Sequence, residues 1–223
     1  MNNADIALAP DFGHRWVDAL LETFLGRADE LGDLDRRSGD GDFGTNIASA
    51  LRRAQRNIDA DRPQDYAGWL TAVSRGFLGT GGTSGPLFGM FFRELSRCAA
   101  GAEPTLAEFA RGLAAGLATV QRYGGAEVGH KTMVDAIAPA AELLESQLGS
   151  NDSPDLLLAR AAQAAVDGAR STADLLAKRG RASYVGEVAR GVIDPGAAAA
   201  AIVLQAAAAA QVGGRADTSW LSS

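Results

Sequence analysis

Three aspartates alternate with glycines in one short stretch of the chain, residues 34–46, which reads LDRRSGDGDFGTN. Asp35, Asp40 and Asp42 place three carboxylates on a turn that the glycines make flexible. Oxygen-rich pockets of this kind suit hard cations such as Mg²⁺ or Ca²⁺. A solvated turn with helix-capping aspartates is the alternative interpretation of this stretch taken alone. An EF-hand is excluded, because no glutamate stands at the twelfth position of any calcium loop begun here.

A second glycine-rich stretch, residues 79–85 with the sequence GTGGTSG, leads into a predicted helix. Backbone N–H groups and hydroxyls converge there with the positive end of a helix dipole, and this combination favours phosphate binding. A flexible linker is the alternative, but Pro86 and the aromatic run after it favour an ordered helix start. Because carboxylates repel phosphates, metal ions would be needed between the two stretches. Together they predict a metal–nucleotide site.

Other candidates for chemistry in the chain are weak. The run GGAEVGHKT looks like a P-loop, but His130 separates Gly129 from Lys131 and no strand precedes it. His14 lies among core and surface positions of a helix, and Cys98 suits a small buried residue better than a nucleophile. No serine, histidine and aspartate combination for nucleophilic catalysis can be defended, so no catalytic residue is predicted.

Helices must position these stretches. About a fifth of the chain is alanine, the best helix former, and β-branched residues are sparse. Apolar residues recur with a period of 3.6, which predicts an all-α fold of eight helices in up-and-down order. Successive loops in such an array alternate between its ends, so the four glycine-rich loops, after helices one, three, five and seven, should meet at one end. Helices are predicted over about 12–34, 45–58, 105–124, 132–148, 153–180 and 194–214, with two more beginning after Pro63 and at Ser84.

Composition limits the class of protein. The net charge is −6 and the pI about 5.0, which argues against a nucleic-acid partner. No apolar run approaches the ~20 residues of a membrane span, and the C-terminal alanine stretch is too weakly apolar. The N-terminus carries no secretory signal, and one cysteine excludes an intrachain disulfide. We therefore expect a cytoplasmic protein without membrane contact, folded as a single domain over residues 1–223.

The four loops together resemble a known family, the L subunit or L domain of dihydroxyacetone kinases. The matching stretches are residues 34–46, 81–89, 125–140, 180–187 and 194–197, in the family's order. The resemblance implies an eight-helix antiparallel barrel that binds ADP or ATP through two Mg²⁺ ions in the loops at one end, with Asp35, Asp40 and Asp42 as metal ligands. The nucleotide-binding positions that it implies are Phe43, Gly44, Thr45, Asn46, Gly81, Gly82, Thr83, Ser84, Leu87, Gly129, Thr132, Met133, Arg181, Asp194, Pro195 and Gly196.

The resemblance also implies a division of labour. The chain would donate the phosphoryl group in a kinase for dihydroxyacetone or a related ketose, while a separate K subunit holds the sugar on its own histidine. A phosphoryl donor protein of a phosphotransferase system is a further possible partner, if bound ADP is rephosphorylated rather than exchanged for ATP. The chain departs from the family's usual residues at Phe43, at His130 and over 188–193. A non-catalytic regulatory subunit that senses Mg–nucleotide and binds a protein partner is therefore the alternative function.

Overall fold

Apolar stripes at helical spacing fold into eight long helices in a computed structural model that describes residues 2–82, 84–180 and 182–222. Within those residues there is no strand, only an isolated bridge between Ala7 and Thr105. The predicted all-α fold is confirmed. The helices are α1 Phe12–Ser38, α2 Phe43–Asp61, α3 Tyr66–Leu78, α4 Ser84–Ser96, α5 Leu106–Gly124, α6 Val134–Gln147, α7 Pro154–Ser171, a short α8 Ala182–Val185 and α9 Pro195–Val212.

Local sequence signals set many of the helix ends. Thr105 and Glu108 form a capping box at the start of α5, each side chain accepting a backbone N–H of the other residue. Ser153 and Asp194 cap α7 and α9, and a proline follows each of them in the first helical turn. Gly125 ends α5 in the left-handed conformation. Short polar and glycine signals thus fix where the connections, and with them the site, begin.

The long helices form a closed ring. Each packs against its neighbour in sequence from α1 to α7, α7 packs against α9, and α9 packs back against α1. One cluster of buried apolar side chains runs through the interior from Leu8 to Leu221. This arrangement is the predicted eight-helix up-and-down barrel.

Helix α9 is apolar on every side. Its 18 residues have a mean hydropathy of 1.4, enough with their length for a membrane-crossing helix, which corrects the prediction that this stretch is too weakly apolar. The value is high because Ile202, Val203 and Leu204 stand among alanines without a single charge. Since 72% of the helix is buried inside the protein, the barrel core accounts for its apolar character.

Glycines allow the close approach of neighbouring helices. A Cβ on Gly76 of α3 would lie 2.5 Å from the carbonyl oxygen of Ala50 in α2. A Cβ on Gly44 of α2 would overlap the carbonyl of Ala28 in α1, and one on Gly168 of α7 would overlap the carbonyl of Asp135 in α6. Larger residues at these positions would force the helices apart.

The largest differences from the predicted boundaries are at the ends of α1 and α7. Helix α1 continues to Ser38 instead of ending near residue 34, because the first glycine stop is Gly39 and basic residues in the last turn favour the helix C-terminus. Helix α7 ends at Ser171 instead of 178–180, because the carbonyl of Thr172 accepts a hydrogen bond from another loop and a 3₁₀ turn follows. Asp35 consequently lies in a helix, and residues 172–194 form a long connection that contains α8.

Candidate functional site

The connections after α1, α3, α5 and α7 meet in one cleft, as the up-and-down order predicts. The cleft is open to solvent, and its volume of about 1080 Å³ includes this open mouth. Acidic residues, glycines and hydroxyls line one part of its wall, and apolar side chains line another. One part of the cleft is therefore polar and acidic, and another part is apolar.

The acidic part is formed by Asp35, Asp40 and Asp42, whose nearest carboxylate oxygens all lie within 4.8 Å of one another. Asp35 is 7% exposed, and its Oδ2 accepts a 3.0 Å hydrogen bond from the N–H of Phe43, the first residue of α2. The other two carboxylates are exposed. Three anionic oxygens at this spacing fit a hard divalent cation such as Mg²⁺, which prefers carboxylate ligands. The three carboxylates therefore have the ligand chemistry that the predicted Mg²⁺ site requires.

Glycines give this acidic turn its shape. Gly41 has φ +79°, in the left-handed region that glycine adopts without steric cost. A Cβ on Gly39 would collide with Oδ1 of Asp35. The turn can therefore fold tightly over the end of α1 only with glycine at these positions, and this folding brings Asp40 and Asp42 beside Asp35.

The glycine-rich connection before α4 lies next to the acidic turn. Gly82 has φ +81°, and a Cβ on it would lie 3.3 Å from Nδ2 of Asn46 in α2. Thr80 is buried and donates from Oγ1 to the carbonyl of Gly76 at 3.0 Å, which closes the end of α3. Ser84 begins α4, and the first backbone N–H groups of a helix have no partner within that helix. This wall offers hydrogen-bond donors to an anion.

The apolar part of the wall comes from three helices. Leu87 of α4, Met133 before α6 and Pro195 of α9 line it, and Met133 is 4% exposed. A Cβ on Gly196 would lie 3.7 Å from the backbone nitrogen of Met133. The loop before α6 is held by Asp135, whose carboxylate accepts the N–H groups of Gly129 at 2.5 Å and Thr132 at 2.8 Å. Leu87, Met133 and Pro195 therefore offer apolar contacts to a ligand in the cleft.

Two ionisable residues lie beneath the apolar part. Burial raises the pKa of Asp194 to about 7, although its hydrogen bond from the N–H of Ala197, at 2.7 Å, and the charge of Lys131 act in the opposite direction. Burial also lowers the pKa of Lys131, against the attraction of Asp194 and two other carboxylates. Lys131 is 1% exposed. Both ionisable side chains therefore lie where the loop before α6 meets the start of α9.

Most of the residues that the resemblance implies line the cleft. On its wall are Asp35, Asp40, Asp42, Phe43, Asn46, Gly81, Gly82, Ser84, Leu87, Thr132, Met133, Asp194, Pro195 and Gly196. Gly44, Thr45 and Gly129 do not line it: Gly44 packs against α1, Thr45 is exposed, and Gly129 donates its N–H to Asp135. Thr83 and Arg181 lie outside the described residues.

Sequence reasoning missed several wall residues. Phe77 and Val120 line the cleft although their spacing marks them only as core positions of α3 and α5. Arg179 was expected in the last turn of the seventh helix, but it lies in the long connection, with Nε donating to the carbonyl of Gly125 at 2.7 Å. Lys131 lines the cleft too, and its place beside the loop residues Thr132 and Met133 was the available signal.

Comparison with known proteins gives consistent matches. The DAK2 domain family matches residues 37–209. The ADP-binding subunit DhaL of PEP-dependent dihydroxyacetone kinase 2 from Listeria innocua is 38% identical over 191 residues, which cover 83% of this chain and 87% of that protein. The ADP-binding subunit DhaL of the PEP-dependent dihydroxyacetone kinase of Escherichia coli is 34% identical over 192 residues, covering 85% and 91%.

Solved structures agree with these matches. The native dihydroxyacetone kinase of C. freundii superposes with a TM-score of 0.66 and 29% identity over 91% of this chain. The same kinase in complex with AMP-PNP and Mg²⁺ gives a TM-score of 0.66 and 28% identity over 92% of this chain. In both cases the match spans only 35% of the kinase chain, so this chain corresponds to about a third of that protein.

Proposed function

Because this chain belongs to the DAK2 domain family, we propose that it is the ADP- or ATP-binding, phosphoryl-donating subunit of a kinase for dihydroxyacetone or a related ketose. One observation carries the proposal: the Asp35, Asp40 and Asp42 carboxylates lie in the same cleft as the glycine-rich connection before α4. Carboxylates and phosphates repel each other in a shared cleft unless cations lie between them, and the three carboxylates suit Mg²⁺ as that cation.

We assign Asp35, Asp40 and Asp42 as ligands of Mg²⁺, and propose two ions, as the resemblance implies. When bound, the metal neutralises phosphate charge and orients the phosphoryl group for transfer. The hydrogen bond from the N–H of Phe43 fixes the orientation of Asp35 before any ion arrives. Gly81, Gly82 and Ser84 supply donors to phosphate oxygens at the positive end of α4. These residues position the phosphates and hold the metal that neutralises their charge, and these are the main requirements of phosphoryl transfer.

We propose that the adenine ring lies in the apolar slot, which is the part of the cleft lined by Leu87, Met133 and Pro195. These three residues come from α4, from the loop before α6 and from α9, so separate elements of the barrel form the slot. Gly196 leaves space beside the Met133 backbone that any side chain would occupy. A nucleotide whose base lies there can place its phosphates at the acidic turn, because both regions border the same cleft.

We propose that the sugar is bound elsewhere, on a separate K subunit. Among the described residues that line the cleft there is no histidine or cysteine, and the amine of Lys131 is bonded to two backbone carbonyls. No described wall residue is thus suited to hold a ketose covalently. The relatives named PEP-dependent favour a phosphotransferase-system protein as a further partner. A cytoplasmic location and a single domain over 1–223 belong to the same proposal.

A regulatory subunit that senses Mg–nucleotide is the second candidate. The segment beside the cleft exposes Tyr184 at 89% and Val188 at 74%, and exposed apolar side chains of this size are typical of protein-binding surfaces. Addition of a K subunit separates the two functions. Ketose phosphorylation by the mixture supports the kinase, and unchanged nucleotide binding without turnover supports the sensor.

Calorimetry with ADP tests the nucleotide site. We expect the chain to bind ADP in the presence of Mg²⁺ and to lose binding when a chelator is added, because the acidic turn then repels the phosphates. Asp40→Asn should abolish this metal-dependent binding and preserve the fold, since neutralising one carboxylate also relieves repulsion within the turn. The matched control is Asp29→Asn, an exposed position of α1 outside the cleft. Equal ADP affinity with and without Mg²⁺, or full binding by Asp40→Asn, contradicts the assignment.

A further inference from the structure

Lys131 occupies an unusual position for a lysine. Its side chain is 1% exposed, and its backbone has φ +60°, in the left-handed region that residues with a Cβ rarely adopt. The ammonium Nζ donates to the carbonyl of Thr172 at 2.5 Å and to the carbonyl of Val192 at 2.6 Å. Removing an ammonium from water is costly and must be offset by such partners. The buried ammonium of Lys131 therefore carries a desolvation cost, and its backbone lies in a conformation that lysine rarely adopts.

The two carbonyls belong to opposite ends of one connection. Thr172 follows directly after α7, and Val192 stands shortly before α9. A second bond joins the same ends, because the N–H of Asp194 donates to Oγ1 of Thr172 at 2.9 Å. A third runs from the N–H of Gly191 to the carbonyl of Ala173, at 2.8 Å. We call these three links the clasp; it closes the base of the 172–194 connection.

The clasp also links two of the segments that form the apolar slot. Lys131 immediately precedes Thr132 and Met133 on one side. On the other side, the clasped ends lead directly into Asp194–Gly196, the first residues at the α9 wall. The distance between the Met133 wall and the Pro195 wall therefore depends on the ammonium that links their supporting segments. A buried apolar side chain of similar length would fill the space at a lower desolvation cost, so packing alone does not explain a lysine here.

We propose that Lys131 is a positioning residue that sets the width of the slot for the base of the nucleotide. This inference rests on the proposed function, because it takes the slot as the adenine site. The phosphate end of the ligand depends on the acidic turn and on the connection before α4, neither of which includes a member of the clasp. Lys131 should accordingly govern affinity for the base and leave affinity for the phosphates unchanged.

The experiment compares Lys131→Met with Lys178→Met. These are the only two lysines of the chain, and Lys178 is exposed and lies outside the cleft wall. Calorimetry with Mg²⁺ measures the affinity of each variant for ADP and for inorganic pyrophosphate, which has the phosphates without the base. We expect Lys131→Met to lose about tenfold or more in ADP affinity, while its pyrophosphate affinity changes by less than about twofold. Lys178→Met should bind both ligands like the unmodified chain.

If Lys131 had only a general structural role, Lys131→Met would bind ADP and pyrophosphate more weakly by the same factor. That result overturns the proposal. If Lys131→Met does not fold, Thr172→Val removes a neighbouring link of the clasp and should show the same selective loss of ADP affinity; equal losses of both ligands overturn the proposal here too. If the unmodified chain binds no ADP, the proposed function fails. Hydrogen exchange of the ligand-free protein then tests whether Lys131 holds the 172–194 connection closed. Amides of 173–193 should exchange faster in Lys131→Met than in Lys178→Met, and equal exchange rates refute this role of Lys131.

Discussion

Asp194→Asn is expected to change how the stability of the ligand-free protein depends on pH. Asp194 caps α9 through the N–H of Ala197, and burial raises its pKa from 3.8 to about 7. Asparagine is an equally good helix cap, so the substitution keeps the cap and removes only the ionisable group. Any change in pH dependence therefore reports the cost of ionising this carboxyl in its folded surroundings.

The sign follows from proton binding. Below pH ~4 the carboxyl is protonated in both the folded and the unfolded chain, and its contribution to stability is fully present. Between pH ~4 and pH ~7 only the folded state keeps the proton, so stability falls as the pH rises through the folded pKa. A raised pKa of about 7 against 3.8 corresponds at most to about 4 kcal/mol. Because the side chain is only partly shielded from solvent and Lys131 lies nearby, we expect about 1–2 kcal/mol.

Urea unfolding between pH 5 and pH 8 measures the effect. The free energy of unfolding of Asp194→Asn should rise relative to that of the unmodified chain across this range, by about 1–2 kcal/mol. Asp167→Asn, at an exposed position of α7, is the control and should leave the pH profile unchanged. A constant difference between Asp194→Asn and the unmodified chain at every pH would show that Asp194 is ionised normally and refute the reasoning.

Two further predictions concern the barrel and its partner. Gly76→Ala should lower the free energy of unfolding by about 1–3 kcal/mol, because a Cβ would press on the α2 backbone. Gly26→Ala, at an exposed helical position with open space, should raise the free energy of unfolding by about 0.5–1 kcal/mol. Urea unfolding at one pH checks both variants, and similar effects at the two glycines would contradict the close-packing argument. Supplied with ATP or with a phosphoryl donor protein, the purified chain should not phosphorylate dihydroxyacetone until a matching K subunit is added. An assay for the phosphorylated sugar measures this, and turnover by the chain alone would disprove the division of labour.

Local sequence signals were sufficient for the helices and for the end of the barrel that carries the cleft. Periodic apolar residues and caps such as Thr105 with Glu108 act within a few residues of each other, so the eight long helices could be predicted. The end of α7 could not, because the carbonyl of Thr172 is held by Lys131, which is distant in sequence. For the same reason the buried state of Lys131 and the raised pKa of Asp194 depend on tertiary contacts that no local pattern encodes.

The closure of the ring by α9 and α1 has a consequence for the order of folding. The other neighbouring pairs in the ring join long helices that are successive in the chain, with only the short α8 between α7 and α9. This last seam joins helices near the two ends of the chain. Bringing distant segments together carries the larger entropic cost, so the sequential pairs should assemble first and the seam last. Because α9 also carries Pro195 and Gly196, the cleft is incomplete until that final step. A ligand in the completed cleft would then act as a latch on the last part of the molecule to fold.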